Sequence, residues 1–402
     1  MKSLRFAAAF TAASLVLAAS VTTRAQQAPP AQTAPVGPLA PEKYMDIQVL
    51  KDVPADQLDL TMQYFMAATG FTCGQCHVRD QATGAFTFMA DTRLKTTARQ
   101  MIQLVQTVNA GSFGARINCA TCHQGRNQPA GLQPAQMFTA DQLAAMAAQQ
   151  AARQGGAPGG AGAAGAAGAP GGRGAGANQT PAPPIDDVLN KYITAIGGQA
   201  AIDKQNSRVM SGTLVNRSGQ SMPFTIEEKG AKIRESITTP QGTNVSVYDG
   251  TAAWAQAGET IGDLPGFRMQ QASRLNDLRR AAEIRTRYQN LTAARPTRLT
   301  LTPGAAPIDV NLLQGAPFAG VTERLYFDAN SGLLIRRQII TRTPLNGTLT
   351  EIIDYSDYKD VAGVKIPFTI KRNNWNSLDV LTVVDVKPNA SVDDARFVKP
   401  AK

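Results

Sequence analysis

Apolar residues recur at helical spacing in two stretches near the front of the chain. In PADQLDLTMQYFMAATG, Leu58, Met62, Phe65 and Met66 share one face, between Pro54 and Gly70. In DTRLKTTARQMIQLVQTVNAG, Leu94, Ala98, Met101, Val105 and Val108 form a second stripe. Asp91 is its expected N-cap and Gly111 its stop. A third helix is expected from Thr139, with Gln142 completing a capping box. Beyond Ile185 the period changes. The amphipathic segment IDDVLNKYITAIGG ends at Gly197-Gly198, and alternating or β-branched runs follow. They include SRVMSGTLV, MPFTIEEK, ERLYFDANSGLLIRRQIITR and EIIDYSDYKDVAGVKIPFTIKRN. Asn330-Ser331-Gly332 and Ala362-Gly363 read as hairpin turns, and Asp249, Asp328, Asp354 and Asp357 as turn formers. One helix interrupts the strands near FRMQQASRLNDLRRAAEI. The expected fold here is a mainly antiparallel sheet with a helix or two against one face.

Composition separates these parts. Residues 155–184 are rich in Gly, Ala and Pro, and Arg173 is their only charge. Such a stretch cannot bury a core and is expected to be a tether. Residues 26–42 are rich in Pro, Gln and Ala and are expected to be a disordered lead. The first 25 residues carry Lys2 and Arg5, then a short apolar run, then Thr23-Arg24-Ala25. That order predicts a signal peptide cleaved after Ala25, and so a periplasmic or extracytoplasmic location. The chain therefore divides into a signal peptide (1–25), a lead (26–42), a helical domain (43–135), a helix and linker (136–184) and a β-rich domain (185–402). A net charge of +10 is spread along 402 residues without a basic run, so nucleic acid is not an expected partner.

The chemistry lies in two pentapeptides. CGQCH spans residues 73–77 and CATCH spans 119–123, and between them they hold all four cysteines and both histidines. Four readings compete. A Cys₄ zinc site would use both C-x-x-C pairs but gives no role to the histidines. A redox dithiol expects a βα context and usually one motif. Two disulfides would each close a strained two-residue loop. Covalent haem attachment uses every residue: the cysteine sulfurs add to the vinyl groups, and the next histidine becomes an iron ligand. Haem is the favoured reading. Cys73, Cys76, Cys119 and Cys122 are then the attachment points for two haem c groups, and His77 and His123 the proximal ligands. No third histidine exists for a second axial position, so methionine is the expected sixth ligand. Met62, Met66, Met101 and Met89 are the nearby candidates. Arg79, Arg126 and Lys95 are candidates to pair with propionates, with solvation as the ordinary alternative.

From MDIQVLKDVPADQLDLTMQYFMAATGFTCGQCHV through KTTARQMIQLVQTVNAG to INCATCHQG, about residues 43–130, the chain resembles the cytochrome c subunit family of photosynthetic reaction centres, and most closely its short diheme members. The resemblance implies a helix–turn–CxxCH unit for each haem and a methionine on that helix as sixth ligand. Met62, eleven residues before Cys73, and Met101, eighteen before Cys119, hold those positions; Met66 is left to packing. The chain departs from the family in having two motifs where the best-known members have four, no lipid-anchor cysteine, and Gln124 where Arg is expected.

The C-terminal part resembles lipoprotein-carrier domains through VYDGTAAWAQ, LYFDANSGLLIRRQI and IIDYSDYKDVAGVKIPFTI. This implies a half-barrel with an apolar concavity that could take an acyl chain. Trp254, Tyr326, Phe327 and Phe368 are candidates to line it, against the plainer reading of core aromatics.

The expected molecule is multidomain: a small all-α diheme cytochrome c domain plus a mainly antiparallel β, half-barrel-like α+β domain. Its expected role is electron transfer through two His/Met haems, without bond chemistry of its own. The expected partners are donor and acceptor proteins, such as a membrane-bound reaction centre or respiratory complex. A peroxidase-like haem enzyme and a lipid- or protein-binding module with haem as sensor are the alternatives.

Overall fold

Helix α1 (Ala40–Lys43) opens the helical part and is pinned by Ala40 N–H donating to the Val53 carbonyl at 2.8 Å. The computed structural model describes residues 38–80, 86–111, 116–129 and 180–401. The expected signal peptide, most of the lead, the helix from Thr139 and almost all of the linker lie outside the described residues. Within the stretch expected as lead, Ala40 is fully buried.

A 3₁₀ turn (Ala55–Gln57) leads into α2 (Leu58–Thr69), which stops where Gly70 takes a left-handed conformation. α3 (Cys73–Cys76) follows, then a two-stranded hairpin of β1 (Val78–Arg79) and β2 (Phe86–Thr87), then α4 (Arg93–Ala110) and α5 (Cys119–His123). Both expected helices are present, with two corrections. Thr92, not Asp91, caps α4, accepting from Lys95 N–H. Asp91 instead pairs with Arg99 and Lys95. The deepest face of α2 is Leu60, Tyr64 and Ala68, not the expected Leu58–Met62–Phe65–Met66 stripe. That stripe is only half-buried. Leu58, Met62 and Phe65 pack on Leu50, Val53 and Ile102.

The second part begins with α6 (Ile185–Ala195) and α7 (Gln199–Asp203) and continues as one large sheet of fourteen antiparallel strands. β3 (Ser207–Val215), β4 (Ser221–Lys229), β5 (Lys232–Thr239), β6 (Gly242–Tyr248), β7 (Ala253–Ala257) and β8 (Thr260–Asp263) are neighbours in chain order. So are β10 (Thr297–Leu299), β11 (Ile308–Phe318), β12 (Val321–Asp328), β13 (Leu334–Arg342), β14 (Thr348–Val361), β15 (Val364–Asn373) and β16 (Leu378–Pro388). β16 pairs with β3 and joins the two meanders, while β9 (Gln289–Ala293) pairs with β11. Alternation puts Leu313, Leu325, Ile339, Ile353, Ile366 and Leu381 into one core, roofed by Val188, Leu189 and Tyr192 of α6.

Two helices, not one, interrupt the strands: α8 (Phe267–Ser273) and α9 (Arg280–Arg287). The break falls at Asn276 and Asp277. Asn276 donates to the Gly230 and Lys232 carbonyls, and Asp277 pairs with Arg280 and Arg337, so their side chains serve the tertiary fold. β9, β10 and β11 are further strands, beyond the runs read from the sequence. The hairpin at Ala362-Gly363 has both residues left-handed, as a tight two-residue turn requires. Asp249 and Asp328 do cap turns, but Asp354 lies within β14 and makes a bidentate pair with Arg336. Asp357 also lies within β14, between the pairs Ser356–Thr369 and Tyr358–Pro367, with φ of 53°.

The four aromatics do not line one concavity. Trp254 lies on the opposite sheet face, where its Nε1–H donates to the Phe397 carbonyl. Phe327 is core, and its neighbour Tyr326 points the other way, to Gln338. Phe368 lies under the Lys359 ammonium. The space beneath the helices is filled instead by a buried polar network. Fully buried Arg337 meets Glu323 at 3.1 Å and Tyr355 at 3.2 Å, and Tyr288 donates to Glu323 at 2.7 Å. Burial pushes Tyr288 up to about 12, helped by the Glu323 charge. Burial would also raise Glu323, but Arg337, Arg280 and Arg274 outweigh it and hold the carboxyl below its usual range.

Candidate haem-binding turns

Each C-x-x-C-H pentapeptide forms a single capped helical turn, and that turn decides what its side chains can do. In the first, Thr72 is the N-cap and its N–H donates to Gln75 Oε1 at 2.7 Å. The His77 N–H donates to the Cys73 carbonyl at 2.9 Å, so the histidine follows directly on the turn. Thr92, which caps α4, donates its hydroxyl proton to the Cys76 carbonyl at 2.9 Å. In the second, Asn118 and Thr121 cap reciprocally: Asn118 Oδ1 accepts from Thr121 N–H at 3.1 Å, and Thr121 Oγ1 accepts from Asn118 N–H at 3.0 Å. Asn109, near the end of α4, clamps the approach by bonding both backbone groups of Ile117 at 2.8 Å.

The two turns meet through α2. Gly125 N–H donates to the Ala68 carbonyl at 2.8 Å. A Cβ on Gly70 would lie 2.6 Å from the Gly125 carbonyl oxygen, so only glycine fits. An open groove of about 550 Å³ runs between these segments, bordered by Phe71, Gln75 and Arg126.

The chemistry of the residues on the two turns fits a porphyrin. All four cysteines are free thiols. Among the described residues no three His, Cys, Asp or Glu side chains converge, so the two C-x-x-C pairs do not assemble a Cys₄ set. Burial, and then the neighbouring Cys73 thiol, pushes Cys76 up; burial likewise raises Cys119. Burial and the Lys95 charge hold the His77 imidazole below its ordinary range, favouring the neutral ring that binds metal. His123 Nδ1 lies 3.0 Å from the Arg126 carbonyl; donation there leaves Nε2 as the ligating nitrogen. His77 Nδ1 is buried without a partner among the described residues, and its ring meets the edge of Phe88. Phe88, whose ring meets His77, is 58% exposed, and Met89 and Met101 nearby in sequence are 51% and 42% exposed. A flat apolar group held beside these turns would cover them.

Of the methionines, Met62 packs in the Leu50–Val53–Ile102 cluster. Met66 Sδ lies 3.6 Å from Cys73 Sγ, nearer the first motif than its packing role implies. Lys95 is engaged by Asp46 and by the Phe88 carbonyl, so it is not a free cation for a propionate. Sequence reasoning missed Thr72, Gln75, Asn109, Asn118 and Tyr64. The cap residues had a visible signal, since Thr and Asn each stand directly before a cysteine turn.

Residues 10–153 match the model of the photosynthetic reaction centre cytochrome C subunit family. No curated protein matches the chain. Among solved structures, the chain is similar to an outer membrane lipoprotein-sorting protein domain from Vibrio parahaemolyticus, at 9% identity and a TM-score of 0.37, over 52% of this chain and 94% of that one. It is also similar to a LolA superfamily protein from Nitrosomonas europaea, at 14% identity and a TM-score of 0.35, over 53% and 97%. No helix among the described residues is long and apolar enough to cross a membrane.

Proposed function

We infer that this chain is an exported electron-transfer protein carrying two covalently attached haem c groups. The observation that supports this most is the pair of capped cysteine turns, each followed at once by a histidine. When bound, haem supplies a one-electron iron couple. The chain's residues hold and tune it. Cys73 and Cys76 anchor one group and Cys119 and Cys122 the other. His77 and His123 offer ring nitrogens. Met62 and Met101 remain the proposed sixth ligands, with Met66 a rival to Met62 because of its closeness to Cys73. The proposed setting is the periplasm, with donor and acceptor proteins such as a reaction centre or respiratory complex as partners.

The sheet part is better read as a scaffold than as an acyl carrier. The cavity beneath α6 and α9 measures about 60 Å³ and is bordered by Arg208, Asp277 and Arg280 as well as apolar groups. Ligand pockets run from about 300 Å³ upward, and an acyl chain gains nothing from buried charges.

The test is haem staining of the denatured chain with pyridine haemochrome quantification. Two covalent haems per chain are expected, and any other count sinks the reading.

A further inference from the structure

The helical part meets the sheet through the second cysteine turn, and one side chain makes the connection. Leu60, Tyr64 and Ala68 of α2 form a buried cluster with Phe267 of α8 and Leu349 of β14, and Cys119 and Ala120 pack on it. Tyr64 stands at its centre. On one side its ring lies on Gly347, where a Cβ would come within 2.3 Å of the ring edge and 2.7 Å of the hydroxyl oxygen. Only a hydrogen fits between them. On the other side its hydroxyl oxygen faces the Cys119 and Ala120 amides, with Ala120 N–H donating at 3.4 Å. These amides begin a helical turn and have no partner within it.

We propose that Tyr64 is the positioning residue that seats the second haem turn against the β13–β14 hairpin. This rests on the haem reading above. Both attachment sulfurs and the His123 imidazole hang on that one turn, so whatever fixes it fixes all three. The first turn has a different support, the Thr92 hydroxyl on the adjoining helix. Asp59 and Arg268 also join the two parts through a bidentate pair at 2.6 and 2.8 Å. That pair is exposed and screened, and sits away from the turn.

The experiment compares the haem-loaded full chain with Tyr64→Phe, which keeps the ring and removes the oxygen. Gly347→Ala disturbs the same contact from the sheet side. Two readouts are taken: hydrogen exchange of the peptide spanning Cys119–His123, and a spectroelectrochemical titration of both haems. The transition altered by His123→Met identifies the second haem. The expected result is exchange faster by about tenfold at Cys119–His123 in both variants, with no change at Cys73–His77. Only the second haem's midpoint should move. Unchanged exchange, or two midpoints displaced alike, would overturn the proposal. A wild-type count other than two haems would refute the reading beneath it, and the exchange data would still decide the Tyr64 contact.

Discussion

The two cysteine turns share a pentapeptide pattern but live in different surroundings. The first is supported by its own neighbours in sequence, through Thr92 and the β1–β2 hairpin, and its His77 ring meets exposed Phe88. The second is supported from a distance, by Tyr64 fifty-six residues earlier and by the Leu349–Phe267 surface of the sheet part. A pentapeptide thus sets which bonds a turn can make, and the tertiary neighbours set how firmly the turn is held and how open it is. The second turn is the one whose properties the sheet can set.

The strongest way to break this arrangement is at the link between the turns. Gly70 is left-handed, and a methyl group there would strike the Gly125 backbone. Gly70→Ala should therefore destabilise by more than about 2 kcal/mol, because left-handed strain of about 1–2 kcal/mol adds to a clash that no side-chain rotation relieves. Chemical denaturation would measure it, and a loss under about 0.5 kcal/mol would show that the two turns are not packed as described. A sharper and smaller test is Asn118→Ala. It removes one member of the reciprocal cap and should cost about 1 kcal/mol. Exchange should quicken at the second turn and stay unchanged at the first. Equal quickening at both would mean that the turns share one support.

What was legible in the sequence followed from local chemistry. Pro54 and Gly70 bracket α2, Gly111 follows α4, and the alternating runs became strands because these signals act within a few residues. The pentapeptides were legible for the same reason. The buried face of α2 was not. Leu60, Tyr64 and Ala68 include a tyrosine and an alanine, which score weakly as a stripe. Their burial depends on Gly347 and Leu349, almost three hundred residues away. Likewise Asn276 and Asp277 split a helix that reads as continuous, because their partners lie on other elements. β9 and β10 are short edge pieces whose pairing with β11 no local pattern announces. The cysteine turns were thus readable from sequence, while the contacts that distinguish one from the other were not.

Acid should separate the two turns by a smaller effect. Near the first, the Lys95 and Gln48 hydrogen bonds, aided by the Lys95 and Arg99 charges, hold the Asp46 carboxyl at about 2. Lys95 also donates to the Phe88 carbonyl at 2.7 Å, beside the ring that meets His77. A carboxyl whose folded value lies below its unfolded one, about 3.9, stabilises the fold above that pH. The contribution fades as pH falls through about 2 and the carboxylate takes a proton. The supports described for the second turn are neutral: Asn109, Asn118, Thr121 and Tyr64. Between pH 5 and pH 2, exchange should therefore quicken in the segment around Phe88–Arg99 more than in that around Ile117–His123. Asp46→Asn should remove most of this difference by making the first segment already loose at pH 5. If both segments respond to acid alike, the charge on Asp46 does not distinguish them, and packing alone carries the contrast between the turns.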